Sequence, residues 1–554
     1  YYEPWGYTPL ESLAYKVPAI TTTLAGFGVW INSNELNLKQ GASVIKRTDD
    51  NDTEVAEQII TDIETYLKFS DQQVSGAREA AKEIANAALW DNLLEKYYEA
   101  YQIAIDQSAD RHKEFRPKVK AKQPQIFSNK INNEPKWGKM LIQSSLPEEL
   151  HVLGDISQNL WWTWNFEAIQ LFKSMEEELW YAVDRNPIAL INNISKDRLS
   201  SLIEHKEFME RYEQIVAEYH AYVAQESDKE KTIAYFSMEY GFNDNLRIYS
   251  GGLGILAGDY LKEASDNRVN LISVGFLYRF GYFKQQLTIK GDQQTILEPH
   301  NFNDLPVTSL KDEFGNPVLV VVNFPGRSVY LKVWNLMVGR NPLYLLDADN
   351  DFNSGEDRNI THQLYGGNWE NRLKQEIVLG FGGIRLLRHL GYDIDIYHLN
   401  EGHAAFINLE RIGSLVQEEK LTFDEALEVV RNTSLFTTHT PVPAGHDVFN
   451  EDLLRVYLRH MPERLGISWE SLMQIGRMNP MNLEEPFSMS VLAANTCKEM
   501  NGVSELHGVV SREMFQRLFV GYFANESHIG HVTNGVHYPT WTAKEWKKLH
   551  ADYF

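Results

Sequence analysis

The chain has 554 residues, 43% of them hydrophobic and 12% aromatic, which is enough apolar side chain for several cores and excludes global disorder. Its formal net charge is -23, from 53 Lys and Arg against 76 Asp and Glu, and this argues against nucleic acid as a partner, because such binding rests on cationic surface. The one cysteine, Cys497, leaves no internal disulfide and suits a reducing compartment such as the cytoplasm; no run approaches the roughly 18 apolar residues of a membrane span.

The chain opens on a turn-rich stretch without a signal peptide's charged start, and no earlier strand delivers it, so further sequence is expected upstream. Glu3 and Glu11 stand eight positions apart. Between them Thr8 and Pro9 are expected to cap and open a helix whose N–H groups suit a sugar-nucleotide pyrophosphate. The run from Val17 to Thr23 reads as a short buried strand. Val55, Ile59, Ile60, Ile63 and Leu67 share one helical face, and an Ala-rich helix covers Ala77 to Trp90. Between Arg111 and Lys139, nine Lys and Arg face two Glu without apolar periodicity, which reads as a solvated tether.

From Leu146 to Ser227 the pattern is helical. From Thr232 onward strand, glycine or polar turn, and helix alternate, with strands expected at 232–239, 271–277, 318–322, 394–399, 434–438 and 531–533. This alternation predicts an α/β fold with a mainly parallel sheet, in which polar residues just beyond strand carboxyl ends are the ones to weigh. Three groups meet that test or adjoin it. Gly251, Gly252 and Gly254 form a glycine turn into a helix, where bare backbone lets a phosphate or sugar approach, although such a turn by itself is often only a tight bend. Asn400, Glu401 and His403 follow one strand, and His439 and His446 follow another. A lone histidine is more often a structural hydrogen-bonder than a catalyst. The spacings lack the i, i+4 histidine pair of zinc enzymes, and a metal site is not expected.

The string YYEPWGYTPLE followed by VPAITTTLAGFG resembles the carboxyl-terminal domain of eukaryotic-type glycogen synthases, over residues 1 to about 109. The resemblance implies that Glu3 and Glu11 belong to a paired-Glu motif at a UDP-glucose site, with the Tyr7 to Thr8 backbone near the donor. An arginine-rich sensor helix for glucose 6-phosphate is not apparent.

A second set of motifs includes NLWWTWN from Asn159, YFSMEYG from Tyr235, IYSGGLG from Ile248, YRFGYFKQ from Tyr278 and HLNEGHAAF from His398. It continues with TTHTPVPAGHD from Thr437, NGVSELHG from Asn501 and TNGVH from Thr533. In this order, over residues from about 146 to 554, the motifs resemble the amino-terminal half of short bacterial and archaeal α-glucan phosphorylases. That resemblance implies Rossmann-like domains of the GT-B glycosyltransferase type. The expected organisation is a synthase-like part at 1–110, a linker at 111–145, a helical segment at 146–228 and a Rossmann-like domain at 229–554.

The implied reaction cleaves a terminal α-1,4-glucosyl unit of glycogen, starch or maltodextrin with orthophosphate. It gives glucose 1-phosphate with retention and uses pyridoxal phosphate as cofactor. By resemblance, Gly252 and Leu253 offer N–H groups to a phosphate, His439 stands beside the transferring glucose, and Asn400, Glu401 and His403 position substrate; Arg372 has a structural part. The family's cofactor lysine is expected beyond Phe554, so these residues alone are expected to be inactive. An oligomer is compatible with the sequence. Two other readings stand beside this one: a UDP-glucose-dependent synthase with the phosphorylase-like part as a glucan-holding scaffold, and a non-enzymatic glucan-binding scaffold in which Trp161 to Trp164 dock polysaccharide. Those tryptophans read more simply as a buried contact between helices.

Overall fold

The computed structural model describes residues 4–33, 41–48, 50–89, 92–94, 97–99, 101–102, 146–227, 231–442 and 445–553. Glu3 and the basic tether at 111–139 lie outside these residues. The chain divides into two compact units, one formed by 1–116 together with 396–554 and the other by 117–395. Both are mixed α/β. Among the described residues no helix is long and apolar enough to cross a membrane.

In the first unit, strands Ile396–Asn400, Ser434–Thr437, Glu499–Gly502 and Gly530–His531 run side by side, all parallel, with Asn400 opposite Thr437 and Thr437 opposite Asn501. The first three are largely buried runs, as strands covered on both faces must be. The amino-terminal stretch adds a parallel pair, Ala19–Thr22 with Ala42–Ile45, and a core in which Trp5, Leu10, Leu13, Phe27, Trp30 and Ile84 pack together. Trp5 meets Phe27 edge-on at 5.1 Å between ring centroids, the offset that the ring quadrupoles favour.

This core is not confined to the amino-terminal stretch. Val536 packs on it, Leu89 forms a parallel bridge with Val536, and the Ser504 hydroxyl donates to Pro4 O at 2.8 Å. At Gly26 a Cβ would run into Pro4 O and stand 2.5 Å from Ser504 Oγ, so glycine is what allows this approach.

The first helix begins at Tyr7 with Gly6 as its cap residue, at φ 96°, so Thr8 is not the cap. Gly6 alone tolerates that left-handed backbone at no cost. The Ala-rich helix begins earlier than expected, at Asp71, because Ser70 and Gln73 form a reciprocal capping box. In the Asp52–Leu67 helix only Val55 is buried, while Ile60 is 57% and Leu67 77% exposed.

In the second unit, Ile233–Phe236, Leu271–Phe276 and Asn341–Asp347 are parallel neighbours. Beyond them Arg327–Val338 and Leu319–Phe324 continue the sheet antiparallel, so the expected parallel character stops at this flank. Two-residue turns at Pro325-Gly326 and Gly339-Arg340 make the difference: both glycines have positive φ and close hairpins too short for a crossover helix. Trp161, Trp162 and Trp164 are buried, Trp162 edge-on to Phe172 and Trp180, as the simpler reading of that run expects. Asn159 fixes the run by exchanging two hydrogen bonds with the Gly339 backbone, at 2.8 and 2.9 Å.

Candidate active site

In the first unit, the Ile396–Asn400 and Ser434–Thr437 strands end side by side, and the next residues turn into short loops. Glu401 leaves its strand at φ 81°, a conformation costly for any residue with a Cβ. Its side chain compensates: Oε1 accepts from Gly402 N at 2.9 Å, and Oε2 accepts from His439 N at 2.8 Å, Thr440 N at 3.0 Å and Thr440 Oγ1 at 3.0 Å. Four donors match the lone-pair capacity of a carboxylate. Burial alone would raise its pKa, but the fields of His446 and His439 and the N–H donors of Gly402 and His439 outweigh that and hold it at about 2. Glu401 is therefore ionised and clamps the 439–440 loop.

His439 donates from Nε2 to Asn400 Oδ1 at 2.6 Å, which leaves Nδ1 as the acceptor of its ring. Burial lowers its pKa to about 4, against the pull of Glu401 and with the help of His507. Two further histidines close the group. His507 takes Val503 N on Nδ1 at 3.1 Å and reaches Thr440 O from Nε2 at 3.4 Å. His446 bonds Ser490 Oγ through Nδ1 at 2.6 Å and faces Met514 Sδ through Nε2 at 3.2 Å. His403 is buried on the short helix Gly402–Ala404, where Gly402 lies so close to Ser490 that a Cβ would stand 2.5 Å from its hydroxyl oxygen. Of the predicted residues, Asn400, Glu401 and His439 thus form one bonded group, with Ser490 linking His446 to the same loop by close packing. Thr440, Ser490 and His507 belong to this group as well, and the strand-end pattern does not point to them. His507 lies in the Asn501 to Gly508 motif, which was the available signal; Ser490 carries none.

In the second unit, Gly252 opens the helix Gly252–Asp266. A Cβ at Gly251 or Gly252 would meet no atom within 4 Å, and Gly251 is extended, so glycine here serves an open face and not a positive φ. Gly254 differs: a Cβ would stand 2.6 Å from Glu239 Oε2 and 2.6 Å from Tyr249 Cβ. Glu239 Oε2 accepts from Ser250 N at 2.7 Å, and its Oε1 accepts from Tyr365 O–H at 2.7 Å. Burial pushes the Glu239 pKa up against these donors. Arg372 lies 4.5 Å over the Tyr365 ring and pairs with Glu376 at 3.2 Å, a packed and structural position. Glu11 is exposed on the Tyr7–Ala14 helix of the first unit.

Comparison with known proteins places names on these regions. Residues 1–149 match the family model for glycogen synthase, residues 387–552 that for carbohydrate phosphorylase, and residues 146–246 one described as a protein of unknown function (DUF3417). A maltodextrin phosphorylase of Thermococcus litoralis is 41% identical over 420 residues, covering 74% of this chain and 49% of the relative. A glycogen phosphorylase of Mycobacterium tuberculosis is 40% identical over 438 residues, 74% of this chain and 50% of the relative. Glycogen [starch] synthase isoform 2 of Saccharomyces cerevisiae is 31% identical over 109 residues, 19% of this chain and 15% of the relative. The chain spans about half the length of the phosphorylases it matches.

Proposed function

From a chain that joins a glycogen synthase domain at 1–149 to a carbohydrate phosphorylase domain at 387–552, we propose an α-glucan phosphorylase activity of the GT-B type. The reaction is phosphorolysis of terminal α-1,4-glucosyl units of glycogen, starch or maltodextrin to glucose 1-phosphate, with retention, in the cytoplasm. The observation that carries this reading is the Glu401 clamp on the His439 loop, in a region similar to phosphorylases at 40 to 41% identity.

The clamp gives His439 a fixed backbone, and Asn400 gives it a fixed tautomer. A neutral imidazole at neutral pH then presents Nδ1 as a polar acceptor where positive charge develops on the glucosyl carbon. Glu401, its oxygens filled by backbone and hydroxyl donors, contributes by holding that loop and by its fixed negative charge; Asn400 and His403 complete the substrate side. The open backbone at Gly252 and Leu253, at a helix amino terminus, fits a phosphate group.

The family's cofactor, pyridoxal phosphate, would supply a phosphate as acid/base partner to the attacking orthophosphate. The residues fit it in part. A phosphate suits Gly252 and Leu253, but among the described residues the bonded partners of Glu401 and His439 include no amine, so this group of residues does not itself offer covalent attachment. UDP-glucose is the donor expected for the synthase-like part.

The test is to incubate the full-length protein with maltodextrin and orthophosphate and follow glucose 1-phosphate. Phosphate-dependent release, lost in His439→Ala, is the expected result. Glucan elongation from UDP-glucose with no phosphorolysis would refute the proposal.

A further inference from the structure

A polar chain runs through the interior of the first unit, from the synthase-like stretch to the strands that carry the site. Tyr101, helical and buried, places its hydroxyl 2.8 Å from His398 Nδ1. His398 Nε2 lies 2.8 Å from Thr437 Oγ1, and the Thr437 hydroxyl donates to Asn501 Oδ1 at 2.9 Å. Thr437 has one hydroxyl proton, and Asn501 takes it. Nε2 of His398 must then be the donor to Thr437, Nδ1 the acceptor, and Tyr101 the donor to Nδ1. Each bond fixes the direction of the next. The Tyr97 ring, also buried, lies 6.3 Å from the His398 ring and limits its rotation.

The chain crosses three neighbouring parallel strands, at His398, Thr437 and Asn501. Two residues further along, the first two of these strands are bridged again by Asn400 and His439. Asn400 lies two positions beyond His398 and shares its face of the strand, while His439 follows Thr437 by two residues in the loop beyond its strand, so the His398–Thr437 bond comes just before the Asn400–His439 bond along the same two segments. Tyr101 stands at the end of the first of these bonds, and it comes from the region that matches glycogen synthase, while His398, Thr437 and Asn501 lie in the region that matches carbohydrate phosphorylase.

We propose that Tyr101 is a positioning residue for the phosphorylase-like site: its O–H caps the bare Nδ1 of the His398 tautomer that the Thr437–Asn501 bond dictates, and so fixes the ring that ties together the two strands whose ends bring Asn400 to His439. The synthase-like stretch thereby acts on the phosphorylase-like site within one polypeptide. The activity part of this inference rests on the function proposed above; the part that concerns the His398 ring does not.

The experiment is Tyr101→Phe in the full-length protein, read in two ways. Ring-nitrogen NMR with labelled histidine, the His398 signals being those missing in His398→Gln, reports the tautomer. The expected result is one protonated and one bare ring nitrogen in the parent, with the signal of the bare nitrogen moving to that of an acceptor without a hydrogen bond in Tyr101→Phe. Phosphorolysis is expected to show kcat lowered about fivefold, the weight of one buried hydrogen bond, with KM for glucan changed less than about twofold. In a Thr437→Val background, where the His398–Thr437 bond is already broken, Tyr101→Phe is expected to add no further loss. An unchanged His398 signal in Tyr101→Phe overturns the inference, as does full additivity with Thr437→Val. The NMR arm decides the inference, and absence of phosphorolysis in the parent defeats the activity reading alone.

Discussion

Glu401→Gln tests the clamp, because it keeps the shape of the side chain and removes only its charge and one acceptor. The amide oxygen would take the three donors now on Oε2, from His439 N, Thr440 N and Thr440 Oγ1, and the amide nitrogen would then face Gly402 N at 2.9 Å, donor against donor. One buried unsatisfied N–H costs about 1–3 kcal/mol, and three bonds turned from charge-assisted to neutral lose up to about 1 kcal/mol each. Relief from burying a charge offsets part of this, for a net loss of about 2–4 kcal/mol. At about 2 °C per kcal/mol for a unit of this size, the melting temperature should fall by about 4–8 °C at pH 7. The pH profile supplies a second reading. The folded pKa of Glu401 lies at about 2, below the ordinary 4.5, so its contribution is present above pH 4.5 and is lost as pH falls toward 2. Differential scanning calorimetry across that window should show the parent losing stability more steeply than the variant. A melting temperature within 1 °C of the parent, by the scale just given, together with an unchanged acid profile, would refute the clamp.

Other expectations follow from the same geometry. Burial lowers the His398 pKa to about 3 and that of His439 to about 4. Below pH 6.5 the unfolded chain therefore binds protons that these rings refuse, and urea titrations should lose up to about 1.4 kcal/mol per pH unit for His398 as pH falls, with none of this loss above pH 7. Gly254→Ala should destabilise by roughly 1–3 kcal/mol, because its Cβ meets Glu239 and Tyr249. Gly252→Ala, with open space around it, should leave stability within about 0.5 kcal/mol while raising KM for orthophosphate if its backbone meets phosphate. Gly26→Ala should cost at least about 2 kcal/mol by forcing Pro4 from Ser504, read as a lower melting temperature of the unit.

Much of the candidate site was legible because its residues sit where α/β strands end. The runs at Ile396–Asn400 and Ser434–Thr437 are continuous apolar-rich segments; Asn400 ends the first, Glu401 follows it, and His439 comes two residues after the second, so periodicity places them without knowledge of contacts. The buried tryptophan run and the glycine turn at Gly251 were legible for the same reason: they are local patterns.

What the amino acids alone determined was the set of elements and the residues delivered at their ends, because propensity, alternation and turn chemistry act over a few neighbours. Tertiary structure decided the rest. The amphipathic face of Asp52–Leu67 predicts burial, yet only Val55 finds a cover, since a helical stripe states what is apolar and not what will meet it. The antiparallel flank at Arg327–Val338 depends on two hairpin turns that choose a neighbour over a crossover. The bonds of Tyr101 to His398, 297 positions apart, and of His507 to Thr440, 67 apart, join side chains that no local pattern relates; only the packed chain brings their polar atoms within reach and fixes which nitrogen carries the proton.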